Sequence, residues 1–226
     1  MTNLTLVIPA KNESESLPLV LDEIFNLKLN LKIKVCLENT DIKTINAVKK
    51  FDVETIFQQK IGYGSALIEG INSVETPYFC IFNADGSFNP AELKDMLKKI
   101  QDEDYDFVFA SRYMKKAGSD DDTLITFIGN YFFSWIGIFF FKLKISDILY
   151  TYVMGKTIEF KKINFKKSDF GLCVELPIKC HQNKLSIAEI DSWERPRIAG
   201  TKKVKAFKDG LIILTDLIKL FFKKDV

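Results

Sequence analysis

With 226 residues and a formal charge of +2, the chain is long enough for one well-buried α/β domain and lacks the basic excess of a dedicated nucleic-acid binder. Its four cysteines, Cys36, Cys80, Cys173 and Cys180, are widely spaced with no CxxC pair, which argues against a zinc site or a disulfide framework and for a reducing compartment. Met1 leads directly into an apolar strand, without the basic start and small-residue cleavage site of a signal peptide, so export is not expected.

The first half alternates short apolar runs with amphipathic stretches, which predicts βαβ units around a largely parallel sheet. LTLVIPA reads as the first strand. Leu17, Val20, Leu21, Ile24 and Phe25 recur at helical spacing between Ser14 and Leu27, and IKVCL follows as a second strand. Next come a short helix over Ile42 to Lys50, the strand VETIFQ, a helix from Gly64 to Ser73 and the strong strand YFCIFNAD. PAELKDMLKKI begins with proline where a helix tolerates it, behind Asn89 as cap, and DFVFASR is another strand. The aromatic run from Phe127 to Leu143 follows. Beyond it lie an amphipathic stretch from Asp169 to Asn183, a strand near LSIAEIDSW, the basic turn ERPRIAGTKK and the helix GLIILTDLIKLFFKK. No linker divides these, so residues 1–226 are expected to form one domain.

In open α/β sheets ligands gather at the carboxyl ends of the strands. Here the apolar runs end in PAKNE, ENTD, NADGS and SRY, which places several polar strand ends on one rim. A carboxylate such as Asp85, with the oxygen of Asn83 two positions earlier, suits a hard cation bridging two phosphates. The same residue types also make ordinary turns.

VIPAKNE, IGYGSALIEG, IFNADGSFNP, FASRY, ISD and RIAGTKK occur in the order and spacing of inverting glycosyltransferases of the GT-A fold. The chain most resembles their polyprenyl-phosphate mannosyl- and glucosyltransferases. That resemblance implies a mostly parallel sheet flanked by helices, a UDP- or GDP-sugar donor, a divalent cation (Mg2+ or Mn2+) and a polyprenyl phosphate acceptor. It places Pro9, Lys11, Glu13 and Glu38 at the base and ribose, although Glu13 and Glu38 also suit solvated loop acids. Asn83 and Ala84 begin the family's Asp-x-Asp position and Asp85 ends it as the metal-facing acid. A neutral amide thus stands where the first acid is usual, which predicts altered metal binding.

The resemblance further sets Arg112, Arg197 and Lys203 around the diphosphate and acceptor, where developing charge needs stabilisation. Gly62 and Gly64 form a turn that suits packing or a phosphate cradle. An ionised phosphate acceptor needs no strong base, whereas a hydroxyl needs one. Asp147 is the candidate base, with Glu175 behind it, and the segment after Asp147 departs from the family's D-x-x-S-G-F. His181 is read as structural or solvent-facing. A glycan or small hydroxyl acceptor, and a non-catalytic nucleotide-sugar-binding module, remain open alternatives. Segments 127–145 and 210–224 are expected as interfacial helices on the membrane, giving a cytoplasmic protein peripheral on its inner face. The second segment equally suits packing on the domain or on a partner.

Overall fold

A computed structural model describes residues 3–199 and 206–222, excepting the side chains of 206 and 207. The two-residue period of the first strand, β1 (Leu4–Ala10), organises it: Leu6 and Ile8 enter one core and Val7 the other, so both faces of the strand are buried. The chain then runs through α1 (Ser16–Asn26), β2 (Leu31–Leu37), α2 (Ile42–Val48), β3 (Glu54–Phe57) and α3 (Tyr63–Asn72). β4 (Tyr78–Ile81) leads through one 3-10 turn, Pro90–Glu92, capped by Asn89, into α4 (Leu93–Asp102) and β5 (Phe107–Ser111). Helices on one face bury stripes such as Leu17, Val20, Leu21 and Ile24 of α1 and Leu93, Met96 and Ile100 of α4. α3 covers the other face through Ala66, Leu67 and Ile71.

The second half is β6 (Gly118–Ser119), α5 (Leu124–Phe141), β7 (Val153–Lys156), α6 (Thr157–Lys162), α7 (Leu172–Gln182), β8 (Ile187–Asp191), β9 (Trp193–Glu194) and α8 (Ala206–Phe222). Among the described residues the main sheet has seven strands in the order β3-β2-β1-β4-β7-β5-β8, and β6 pairs with β9 apart from it. Every pairing in the main sheet is parallel except those of β7, which runs antiparallel between β4 and β5. Gly155 makes that insertion fit, because a Cβ there would stand 2.6 Å from the Phe107 ring and 2.8 Å from that of Phe79.

The chain winds from β1 outward through β2 to β3, then returns to place β4 on the other side of β1. This reversal opens a crevice beyond the carboxyl ends of β1 and β4. Phe82 N–H continues the pairing, donating to Val7 O at 3.0 Å, so the 83–87 turn is fixed beside residues 9–13.

The helix of the aromatic run starts three residues before Phe127, where Thr123 and Thr126 cap each other reciprocally, and ends at Phe141. α5 docks on the body through its small residues. Ser134 Oγ accepts Ile148 N–H at 3.1 Å, and a Cβ on Gly137 would lie 2.8 Å from Ile148 Cδ1. Most of its large side chains face outward, among them Trp135 and Phe139 at 52% and 59% exposure.

Candidate active site

Beyond β1 and β4 lies a cleft of about 590 Å3, within the usual range for a small-molecule site. Pro9, Lys11, Glu13 and Glu38 line one wall. Lys11 Nζ pairs with Glu38 Oε1 at 2.6 Å, joining the ends of β1 and β2. Glu13 is nearly buried: Ser16 Oγ donates to its carboxylate at 2.5 Å, and its own N–H donates to Thr44 Oγ1. Its carboxylate thus helps hold the start of α1 as well as facing the cleft. Gly62 has φ +135°, and Cβ atoms on Gly62 and Gly64 would lie within 2.3 Å of the carbonyl oxygens of Ser168 and Lys167 respectively. The glycine turn is therefore a packing turn against the 167–169 backbone.

Asn83, Ala84 and Asp85 form the floor. Asp85 Oδ1 accepts from Ser87 N–H at 3.0 Å and Ser87 Oγ at 2.7 Å, while Asn83 Nδ2 donates to Ser87 Oγ at 3.3 Å. Gly86, at φ +84°, permits this turn, and a Cβ on it would press on Ile198 at 2.4 Å. Asp85 Oδ2 forms an ion pair with Arg197 Nη2 at 3.0 Å. Lys203 lies outside the described residues.

Arg112, just past β5, lines the cleft but is almost enclosed. Asp147 grips it with both oxygens, Glu194 Oε2 accepts from its Nη1 at 3.1 Å, and its guanidinium lies over the Tyr150 ring at 4.7 Å. Burial works against its charge, but Asp147 and Glu194 hold its pKa well above the ordinary value.

Asp147 corrects the expectation of a general base. Its side chain is fully buried, does not line the cleft, and is saturated by Arg112 and by Leu149 N–H, so its task is to hold Arg112. Glu175 is excluded in the same way: it is buried, accepts from the N–H groups of Lys166 and Lys167, and pairs with Lys179. His181 is half-buried beside Phe221, away from the cleft.

The residue that the sequence reading missed is Glu194. It ends β9, faces the cleft, and accepts from Ser119 Oγ as well as from Arg112. Burial lifts its carboxyl above the ordinary value, outweighing the opposing pull of Arg112 and Ser119. A second acid, Asp122, accepts from Tyr113 OH and Asn130 Nδ2 on the same wall. Thr126 and Asn130 of α5 and Asp209 and Ile213 of α8 complete that side, so the exposed aromatic helix borders the cleft mouth.

Residues 5–185 match glycosyl transferase family 2. The chain belongs to that family. An uncharacterized glycosyltransferase of Mycobacterium tuberculosis is 25% identical over 92% of this chain and 93% of its own length. A dolichyl-phosphate hexose transferase of Haloferax volcanii is 24% identical over 96% and 93%. The fold is similar to that of glucosyl-3-phosphoglycerate synthase from Mycobacterium tuberculosis, solved with Mn2+, UDP and glucosyl-3-phosphoglycerate. That match has a TM-score of 0.75 at 13% identity, covering 96% of this chain and 79% of that one. The same enzyme solved with Mg2+ and UDP gives a TM-score of 0.71 at 13% identity, with the same coverage. This family 2 glycosyltransferase therefore has the GT-A architecture its motifs imply.

Proposed function

We propose that this family 2 glycosyltransferase moves a hexose from a UDP- or GDP-sugar to polyprenyl phosphate, with inversion, on the cytoplasmic face of a membrane. One observation carries the reading: the cleft that holds Asp85 and Arg197 is bordered by α5 and α8, whose outer sides expose Trp135, Phe139, Leu211 and Phe222. A lipid tail can lie along such a face while its phosphate reaches the polar floor. The similarity to a dolichyl-phosphate hexose transferase supports the same class of acceptor.

The described cleft carries seven carboxylates against three cations, Lys11, Arg112 and Arg197, each already paired with an acid. A diphosphate entering it needs further positive charge. Among the described residues no group of three His, Cys, Asp or Glu side chains gathers to hold a metal alone. Mg2+, however, commonly takes one or two carboxylates plus substrate phosphates, which fits Asp85. A bound Mg2+ or Mn2+ would neutralise charge developing on the leaving diphosphate. Asp85 would hold it, Asn83 would orient Ser87 beneath Asp85, and Pro9, Lys11, Glu13 and Glu38 would face the nucleoside. An oxygen of the acceptor phosphate attacks the anomeric carbon opposite the diphosphate, and the electrons of the broken C–O bond pass to the β-phosphate oxygen. The acceptor is already ionised, so no base is required.

A second reading, transfer to a hydroxyl acceptor, is favoured by Glu194, a cleft-facing carboxylate whose basicity burial has raised. Incubation with labelled UDP- and GDP-sugars, Mn2+ or Mg2+, and polyprenyl phosphate tests the choice. Label in the lipid extract supports the first reading, and label on soluble glycosides only supports the second. Nucleotide binding with neither transfer nor donor hydrolysis would leave a binding module.

A further inference from the structure

The contacts of Asp85 divide its two oxygens between different tasks. Oδ1 is occupied by the N–H and Oγ of Ser87, so Oδ2 is the oxygen left for a cation, and Arg197 Nη2 stands on it at 3.0 Å. The backbone around Arg197 is fastened to the same turn: Arg195 N–H donates to Ser87 O and Ile198 N–H to Asp85 O, each at 2.8 Å. Exchange at Oδ2 therefore needs only the Arg197 side chain to swing, not the segment that carries it. Its buried Nε has no hydrogen-bond partner, a costly state for a guanidinium donor that a phosphate oxygen would relieve. Asn83, lacking charge, adds little to attract a cation when Arg197 is in place.

We infer that Arg197 and the divalent cation hold Asp85 Oδ2 in turn, so that the cation binds well only when a diphosphate draws Arg197 away. The inference rests on the proposed reading of Asp85 as the metal-facing acid. Free protein carries the positive charge of Arg197 on Asp85; the donor complex carries the metal there, with Arg197 moved onto a phosphate oxygen. Metal and nucleotide thereby become obligate partners in binding, and the acidic cleft does not collect free divalent cations.

The test is Mn2+ titration of the full-length chain, read by electron paramagnetic resonance, with and without UDP or GDP and with nucleotide-only controls for chelation. Wild type should bind Mn2+ weakly alone and much more tightly with nucleotide. Arg197→Met, with Arg197→Gln as a second variant, should bind Mn2+ alone on the order of tenfold more tightly, the scale of one hydrogen bond to a charged group. The same variants should lose most of the nucleotide-induced gain. Equal or weaker Mn2+ binding by both variants, including none by any form, overturns the exchange. Asp85→Asn separates the underlying reading: if it still binds Mn2+ with nucleotide like wild type, Asp85 is not the metal-facing acid at all.

Discussion

Arg112 Nε donates to Asp147 Oδ2 at 2.7 Å and Arg112 Nη2 to Oδ1 at 3.1 Å, a two-point grip sealed from solvent. Such a pair is strongly coupled to its surroundings, because removing one member leaves the other buried and uncompensated. Asp147→Ala is expected to cost about 3–5 kcal/mol, measured by urea denaturation. Asp147→Asn, which keeps the shape, should cost less. Stability unchanged in Asp147→Ala would show that Glu194 and Asp122 suffice to hold the guanidinium.

Asp85 differs in that its carboxylate lines the cleft, so under the proposed reading its loss removes the anchor for a cation as well as its bonds to Ser87 and Arg197. Asp85→Ala should lower donor hydrolysis and transfer by at least about 100-fold, the scale of one preorganised electrostatic group. Asn83→Asp should remain active and lower the Mn2+ concentration giving half-maximal rate, because it restores a second acid beside Asp85. An active Asp85→Ala enzyme would remove the metal from that position.

Glu194 supplies a pH dependence whose sign follows from burial. Burial raises its carboxyl pKa in the folded protein, so the proton is held more tightly there than in the unfolded chain. Its stabilising contribution is complete below the unfolded value, about 4.3, and is lost as pH rises through the raised folded value. The stability difference between wild type and Glu194→Gln should therefore shift against wild type across that window in pH-dependent unfolding. If a hydroxyl is the acceptor, the transfer rate should also fall as pH drops through the same raised value. Glu194→Gln should then be slow and lack that acid limb; a parallel limb in both proteins would assign the titration elsewhere.

The parallel half of the fold was legible because each of β1, β2, β4 and β5 is a buried apolar run ending in polar residues. β7 was not, because an antiparallel insertion leaves no mark on the periodicity of TYVMGK, and its key residue, Gly155, matters only through the rings of Phe79 and Phe107 across the sheet. Asp147 looked like a reactive acid because sequence position does not report burial. Glu194 was hidden inside what read as a basic turn, although it follows the apolar strand LSIAEID and the strand-end rule that exposed Asp85 would have found it. The long aromatic segment has the composition of a core, yet only Ser134 and Gly137 of α5 are buried.

That exposure leads to the membrane prediction. α5 is long and apolar enough to cross a bilayer by length and composition, with 11% of it buried. It also docks on the protein body through Ser134 and Gly137 against Ile148, an arrangement that suits a helix lying in the plane of a membrane surface. Lys142, Lys144 and Lys219 are exposed on or just beyond α5 and α8 and suit anionic headgroups. Trp193, the second tryptophan, stands apart on β9 with its indole donating to Asp120, so Trp193→Phe leaves Trp135 as the fluorescent reporter. On mixing with vesicles containing anionic lipid, Trp135 emission should shift to the blue and be quenched by brominated acyl chains. Trp135→Ser and Phe139→Ser should each weaken cosedimentation with those vesicles about tenfold or more, since burying one large apolar side chain contributes roughly 1.5–3 kcal/mol. Unshifted emission with vesicles, together with a concentration-dependent dimer in their absence, would assign the same face to a second copy of the chain.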